Sequence, residues 1–255
     1  MRKNIIIAAM IIVVASFVYY VYLNTTKDLV KETKVDQKIE SMEMTENSYI
    51  DIEPAAAYAM IQANSELVII DVSPRYSEGH LPGAINYYVG DGSLDKAIPS
   101  LDKEKTYLVY CHVDSASIAG SKKLIAAGFE KVYRLKGNYS PWLKAGYPIE
   151  VEIKAVGNYS GSALADRSFL DGKFNHKVMA KLGDPAEGKF YEGWLVKGIS
   201  FFSTGKMEKK DEMYVLEYMS EEDSREFKDI VITEETLANG LDGKPEVHVL
   251  EGKFE

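Results

Sequence analysis

The chain holds a single cysteine, Cys111, and that residue is its one candidate nucleophile. Cys111 closes an apolar run, Thr106-Tyr107-Leu108-Val109-Tyr110-Cys111. His112-Val113-Asp114-Ser115-Ala116-Ser117 follows and leads into a helix-forming stretch. In open α/β sheets, ligands bind beyond the carboxyl ends of the strands. Consecutive N–H groups in a strand-to-helix turn cradle an anion, and the helix N-terminus adds partial positive charge. A thiol placed there has its pKa lowered and becomes a better nucleophile. The competing reading is a buried cysteine that only packs, but the position at a strand end before a helix start favours function. A lone cysteine forms no internal disulfide and no cysteine-based metal cluster. His80, His112, His176 and His248 are too far apart for zinc-ligand spacing. Neither a metal nor a cofactor is therefore expected.

The elements that must position Cys111 alternate in type. Tyr49 to Ile52 reads as a short strand. Glu53 to Ala63 is alanine-rich and helical, with Pro54 early, where a missing N–H costs nothing. Leu67 to Val72 and Thr106 to Cys111 are continuous apolar runs that suit parallel strands covered on both faces. Arg75 to Asn86 is a turn-rich link. Ser115 to Ala127 is helical and ends at Gly128, a C-cap signal. Lys131 to Leu135 is a third strand of this kind, and Ser140 to Ala145 is a short helix closed by Gly146. Strand–helix alternation predicts an α/β domain with a parallel sheet flanked by helices, over residues 48–150.

Three segments of this stretch carry a resemblance. Asp71-Val72, followed by Gly79-His80-Leu81-Pro82-Gly83-Ala84-Ile85-Asn86, is similar to a signature of the rhodanese family. Val109-Tyr110-Cys111 resembles its active-site strand and nucleophile. Leu135-Lys136-Gly137-Asn138 with Trp142-Leu143-Lys144-Ala145-Gly146-Tyr147-Pro148 resembles its closing element. The resemblance implies a sulfurtransferase. The cysteine thiolate would take a sulfane sulfur from a donor, hold it as a persulfide and pass it to a thiol or other thiophilic acceptor. His112 to Ser117 would form the substrate-binding loop, its amides stabilising the persulfide.

Some positions depart from the family. Thiosulfate-using members usually carry Arg or Lys in this loop, often Arg five residues after the cysteine, where this chain has Ala116. The loop's one formal charge is Asp114, which repels an anionic donor and raises a thiol pKa. A neutral persulfide or polysulfide donor therefore suits the loop better. Asn138 replaces the second glycine of the closing element, a mild change because Asn tolerates left-handed geometry. The Arg that often follows the Asp-Val pair is Ser73 here, with Arg75 as a nearby substitute; Asp71 and Arg75 are the expected supporting residues.

The N-terminus predicts a membrane anchor. After residues 1–4, Ile5 to Leu23 carries no charge. At ~1.5 Å per residue it nearly spans a ~30 Å hydrocarbon core. Tyr19, Tyr20 and Tyr22 crowd its far end, where amphipathic rings prefer the interface. A cleaved signal peptide is the rival, with a shorter apolar region and a small-residue cleavage site. The length and the tyrosines favour an uncleaved transmembrane helix. Arg2 and Lys3 would stay inside, leaving the bulk of the chain outside the cytoplasm. Residues 24–47 read as a polar stalk. The net charge of −9 argues against a nucleic-acid partner.

Residues 157–255 change character. Short runs that mostly alternate apolar and polar residues recur at Ser162–Phe169, Phe174–Lys181, Phe190–Lys197, Ile199–Thr204, Met213–Tyr218, Ile230–Thr233 and Glu246–Leu250. Turn signals such as Asp171-Gly172, Lys197-Gly198 and Asp242-Gly243 separate many of them. This predicts an all-β sandwich. Tyr191 and Trp194 could stack on a sugar, but a core Trp on a sandwich strand is the favoured reading. Tyr191-Glu192-Gly193-Trp194-Leu195-Val196 and Ile230-Val231-Ile232-Thr233-Glu234 resemble strands of the extracytoplasmic domain of anti-sigma-K-type factors. The cytoplasmic N-terminus is too short to hold a sigma factor, so that resemblance supports fold and address only. Three functions follow: sulfur transfer through Cys111, a binding module whose sandwich docks a protein or cell-wall partner, or a redox sensor using Cys111.

Overall fold

The computed structural model describes residues 48–255. The expected transmembrane helix and stalk lie outside the described residues. Among the described residues no helix is long and apolar enough to cross a membrane.

The first half is the parallel sheet predicted by the alternation. Its strands are β1 (Ile50–Ile52), β2 (Val68–Asp71), β3 (Ile85–Asn86), β4 (Tyr107–Tyr110) and β5 (Val132–Leu135), in the order β1-β5-β4-β2-β3 and all parallel. Four helices accompany them: α1 (Pro54–Ala63), α2 (Ser93–Ala97), α3 (Asp114–Ala126) and α4 (Tyr139–Ala145). The apolar runs are covered on both faces. Ile69, Leu108 and Tyr110 join the core with Ala57 of α1 and Trp142 of α4. Ile70, Val72, Val109 and Cys111 join a second core with Leu124 of α3. The pleat sends successive side chains to opposite faces, so Tyr110 and Cys111 belong to different cores. Gly120 lets α3 approach β2: a Cβ there would sit 2.9 Å from Val72 Cγ1.

The second half departs from the expected sandwich. Strands β6 (Ile149–Ala155), β7 (Gly161–Leu170), β8 (Lys173–Leu182), β9 (Lys189–Lys197), β10 (Ser200–Lys206), β11 (Glu208–Lys210), β12 (Met213–Ser220), β13 (Asp229–Thr236) and β14 (Val247–Lys253) form one continuous sheet rather than two. Its order is β10-β9-β13-β14-β6-β7-β8-β12-β11, with every pairing antiparallel. The sheet coils so that β10 approaches β12, where the Phe202 and Tyr218 rings lie 5.6 Å apart. Gly193 makes room for this, since a Cβ there would stand 2.5 Å from Leu216 Cδ1 across the coil. Trp194 is buried and donates its indole N–H to Thr233 Oγ1 at 2.8 Å. Tyr191 is buried too, so neither ring presents a stacking platform.

No linker separates the two halves. Glu150, expected to end the first domain, lies inside β6, which belongs to the antiparallel sheet. The alternation Ile149-Glu150-Val151-Glu152-Ile153-Lys154 is the signal for that strand. His80 of the turn-rich link bridges to it, with main-chain bonds to Glu150 of 2.8 and 2.9 Å. One apolar core runs from Leu81 and Trp142 through Ile153 to Phe174 and Phe254.

Candidate active site

Cys111 follows the last residue of β4, and α3 starts at Asp114, so only His112 and Val113 lie between. The expected loop of six residues is therefore a two-residue turn. Asp114 to Ser117 form the first helical turn instead, and Val113, Asp114 and Ser115 are exposed. Ala116 packs against the core beneath α3.

The closing segment holds the cysteine from behind. Cys111 N–H donates to Asn138 Oδ1 at 3.2 Å, and its carbonyl accepts from Tyr139 N–H at 3.0 Å. Asn138 Nδ2 in turn donates to Asp114 Oδ1 at 2.8 Å, tying cysteine, closing segment and helix start together. The conformation of Asn138, φ 64° and ψ −148°, is not the left-handed helical one expected for it. It lies close to a region that is essentially restricted to glycine, and the side-chain bonds hold it there. Asn138→Gly is expected to change stability by less than about 1 kcal/mol, since relief of strain offsets the lost bonds. Asn138→Ala, which loses the bonds and deepens the strain, is expected to cost about 2–3 kcal/mol. Equal urea midpoints for the two variants would refute this account.

Asp114 does not act as a free charge. Its Oδ1 accepts from Arg134 Nη1 at 2.7 Å, and Arg134 also grips Asp51 through two bonds of 2.7 Å. Ser117 Oγ takes a further contact from Arg134 at 3.2 Å. The repulsion of anionic donors expected from Asp114 is thus reduced by a buried guanidinium, shared with Asp51, that the sequence local to Asp114 does not reveal. An Arg inside the strand run Val132-Tyr133-Arg134-Leu135 was its available signal.

The thiol itself is 1% exposed. Burial pushes its pKa up, against the expected lowering. The main-chain N–H groups of Val113 and His112 favour the thiolate, and the charge of nearby Asp71 opposes it. The turn does supply anion-stabilising amides, but in this closed arrangement desolvation outweighs them.

Asp71 stands where a supporting residue was expected. It is fully buried, its Oδ1 accepts from Ser73 N–H at 2.8 Å, and its Oδ2 has no partner. Desolvation pushes it up to about 6. The fold thus favours the neutral carboxyl. Stability present at pH values below its ordinary 3.8 is lost as pH rises through about 6. Asp71→Asn keeps the accepting oxygen and stays neutral. It is expected to raise stability at pH 7 by on the order of 2 kcal/mol and to remove that pH dependence. Urea midpoints across pH 4 to 7 check this; the same pH slope in both proteins would contradict it.

Arg75, the other expected support, is half-buried. It pairs with Glu78 at 2.6 Å and with Glu255 at 2.5 Å. His112 is buried, its ring centroid 4.6 Å from that of Tyr139, and Nδ1 lies 3.5 Å from Glu255 Oε2. Its pKa is lowered by burial. His80 of the turn-rich motif serves the scaffold, stacked 3.7 Å from Tyr76 and placed against β6.

Comparison with known proteins identifies the family. Residues 53–145 match the rhodanese-like domain family. Thiosulfate sulfurtransferase GlpE of Glaesserella parasuis is 29% identical over 108 residues, 42% of this chain and 97% of that protein. The protein of that name from Coxiella burnetii is 31% identical over 102 residues, 39% of this chain and 92% of that one. A crystal structure of the Alr3790 protein from Anabaena sp. aligns with 29% identity over 39% of this chain and 91% of that one, at a TM-score of 0.37. With a cysteine at the carboxyl end of the central parallel strand and this relationship across nearly the whole length of its relatives, the chain belongs to the rhodanese-like family.

Proposed function

We propose that the protein is a sulfurtransferase that carries sulfur as a persulfide on Cys111. The observation that carries this is the strand-to-helix turn in which the amides of His112 and Val113 favour a negative sulfur. The thiolate attacks the outer sulfur of a donor, and the donor's sulfur–sulfur bond breaks. From thiosulfate, sulfite leaves; from a persulfide, a thiolate leaves. The terminal sulfur is then attacked by a thiol or cyanide, and the Cys111 thiolate is released. Asp114, paired with Arg134, repels an anionic donor less than an unpaired carboxylate would.

The reading extends to the address. Residues 5–23 tether the chain in a membrane, and the bulk lies outside the cytoplasm, as the apolar run and the flanking Arg2 and Lys3 support. The similarity of β9 and β13 to extracytoplasmic anti-sigma-K-type strands supports that address. The β-rich region is then the surface for a protein or cell-wall partner.

A second reading has its own support. The thiol is buried and its pKa is raised, which suits a binding module with an inert cysteine. Incubation with thiosulfate or with a low-molecular-weight persulfide, followed by mass spectrometry and cyanide treatment, separates the two. Gain of one sulfur atom that cyanide removes supports transfer. No such gain with either donor leaves the binding module.

A further inference from the structure

Among the described residues, seven buried side-chain polar atoms have no hydrogen-bond partner. Five of them surround the cysteine turn or its cover: Asp71 Oδ2, His112 Nε2, Tyr139 Oη, Arg167 Nε and Glu255 Oε2. Unmade bonds at buried groups are costly, so their concentration here calls for a physical reason. The cover comes from the other half of the molecule. After β14 the chain passes Phe254, which is fully buried with Arg167 stacked 4.1 Å from its ring and its N–H bonded to Lys228. Phe254 thereby fixes Glu255 beside Arg75 and His112. There one carboxylate oxygen meets Arg75 at 2.5 Å and the other lies 3.5 Å from His112, the residue next to the nucleophile. Arg167 Nη2 reaches the Glu255 carbonyl at 3.5 Å.

We propose that Glu255 is a built-in latch: its carboxylate occupies the anion position between Arg75 and His112, and an anionic donor reaches Cys111 only by displacing it. This deepens the sulfurtransferase reading and rests on it for the word donor. A carboxylate against a guanidinium and an imidazole, beside the turn amides, is the arrangement a small oxyanion would adopt. The other charges facing this place are Glu78, which shares Arg75, and Asp71. Glu255 also lines an open groove of about 560 Å³ with Glu78, Lys154, Lys228, Lys253 and Phe254. That groove offers the side chain somewhere to swing while Phe254 stays anchored.

The chain's only cysteine makes the test clean, because alkylation reports one site and needs no sulfur chemistry. The full chain is treated with anionic iodoacetate and, separately, neutral iodoacetamide. Glu255→Gln keeps the shape and removes the competing charge. It is expected to speed iodoacetate about tenfold and iodoacetamide less than about threefold, the size of one nearby charge partly screened by water. Arg75→Gln releases the latch but also removes the anion's partner, so iodoacetamide should speed up and iodoacetate should not. Equal acceleration by both reagents in Glu255→Gln, or none, would overturn the proposal. So would faster iodoacetate in Arg75→Gln. If the reagent contrast holds and no persulfide forms in any variant, the sulfur-transfer reading fails and the latch stands.

Discussion

Cys111→Ser is expected to abolish persulfide formation and lower sulfur transfer on the order of a thousandfold or more, while the fold survives. In the proposed transfer the thiolate is the attacking group, and a hydroxyl with a far higher pKa cannot replace it or hold a sulfane sulfur. The substitution is nearly isosteric, so no large cavity opens. The new hydroxyl lies in an apolar core with Ile70, Val72 and Leu124 and is expected to cost about 1–2 kcal/mol. Transfer is read as thiocyanate produced from cyanide, and folding as the urea midpoint. Retained transfer in the serine variant would show that sulfur does not pass through this residue. Transfer lost together with cooperative unfolding would make the loss structural. The single cysteine sharpens the comparison, since no second thiol can take over.

The second large effect concerns Arg134. This side chain is buried, holds Asp51 with two bonds and Asp114 with one, and touches Ser117. Arg134→Met keeps the apolar stem and deletes all four interactions. Removing one member of a buried ion network leaves the others uncompensated. Asp51 and Asp114 retain contact with water, which lessens the penalty. The expected cost is about 3 kcal/mol. A functional effect should accompany it, because Asp114 sits three residues from Cys111 and loses its guanidinium partner. Cys111 alkylation should then require a higher pH than in the parent. Urea unfolding and the pH dependence of iodoacetamide labelling measure the two effects. A stability loss without any shift of the labelling curve would mean that Asp114 does not reach the thiol electrostatically.

Much of the first half was legible because its signals are local. Leu67–Val72 and Thr106–Cys111 are apolar without interruption, and such runs are stable only between two covering layers. The turn glycines Gly79 and Gly83 and the helix-closing Gly128 and Gly146 all adopt positive φ values. The β-rich half was legible as strands, since alternation is a property of each segment. Its assembly was not. Whether nine strands make two sheets or one coiled sheet depends on which edges meet, and Gly193 facing Leu216 settles that across a sequence distance no periodicity records.

The sequence by itself determined the candidate nucleophile, its place at a strand end before a helix, and the family to which that pattern belongs. Residue type and nearest neighbours suffice for those. Only the tertiary structure decided how the nucleophile is held. Asp51 and Arg134 are 83 residues apart, and Arg75 and Glu255 are 180 apart. Charges acquire or lose their force through such partners, because burial weakens the screening that keeps exposed charges independent. Asp114 reads as a free repelling charge in the sequence and is paired with Arg134 in the fold. Cys111 reads as an activated thiol and is a covered one, its pKa governed by desolvation that no local pattern encodes.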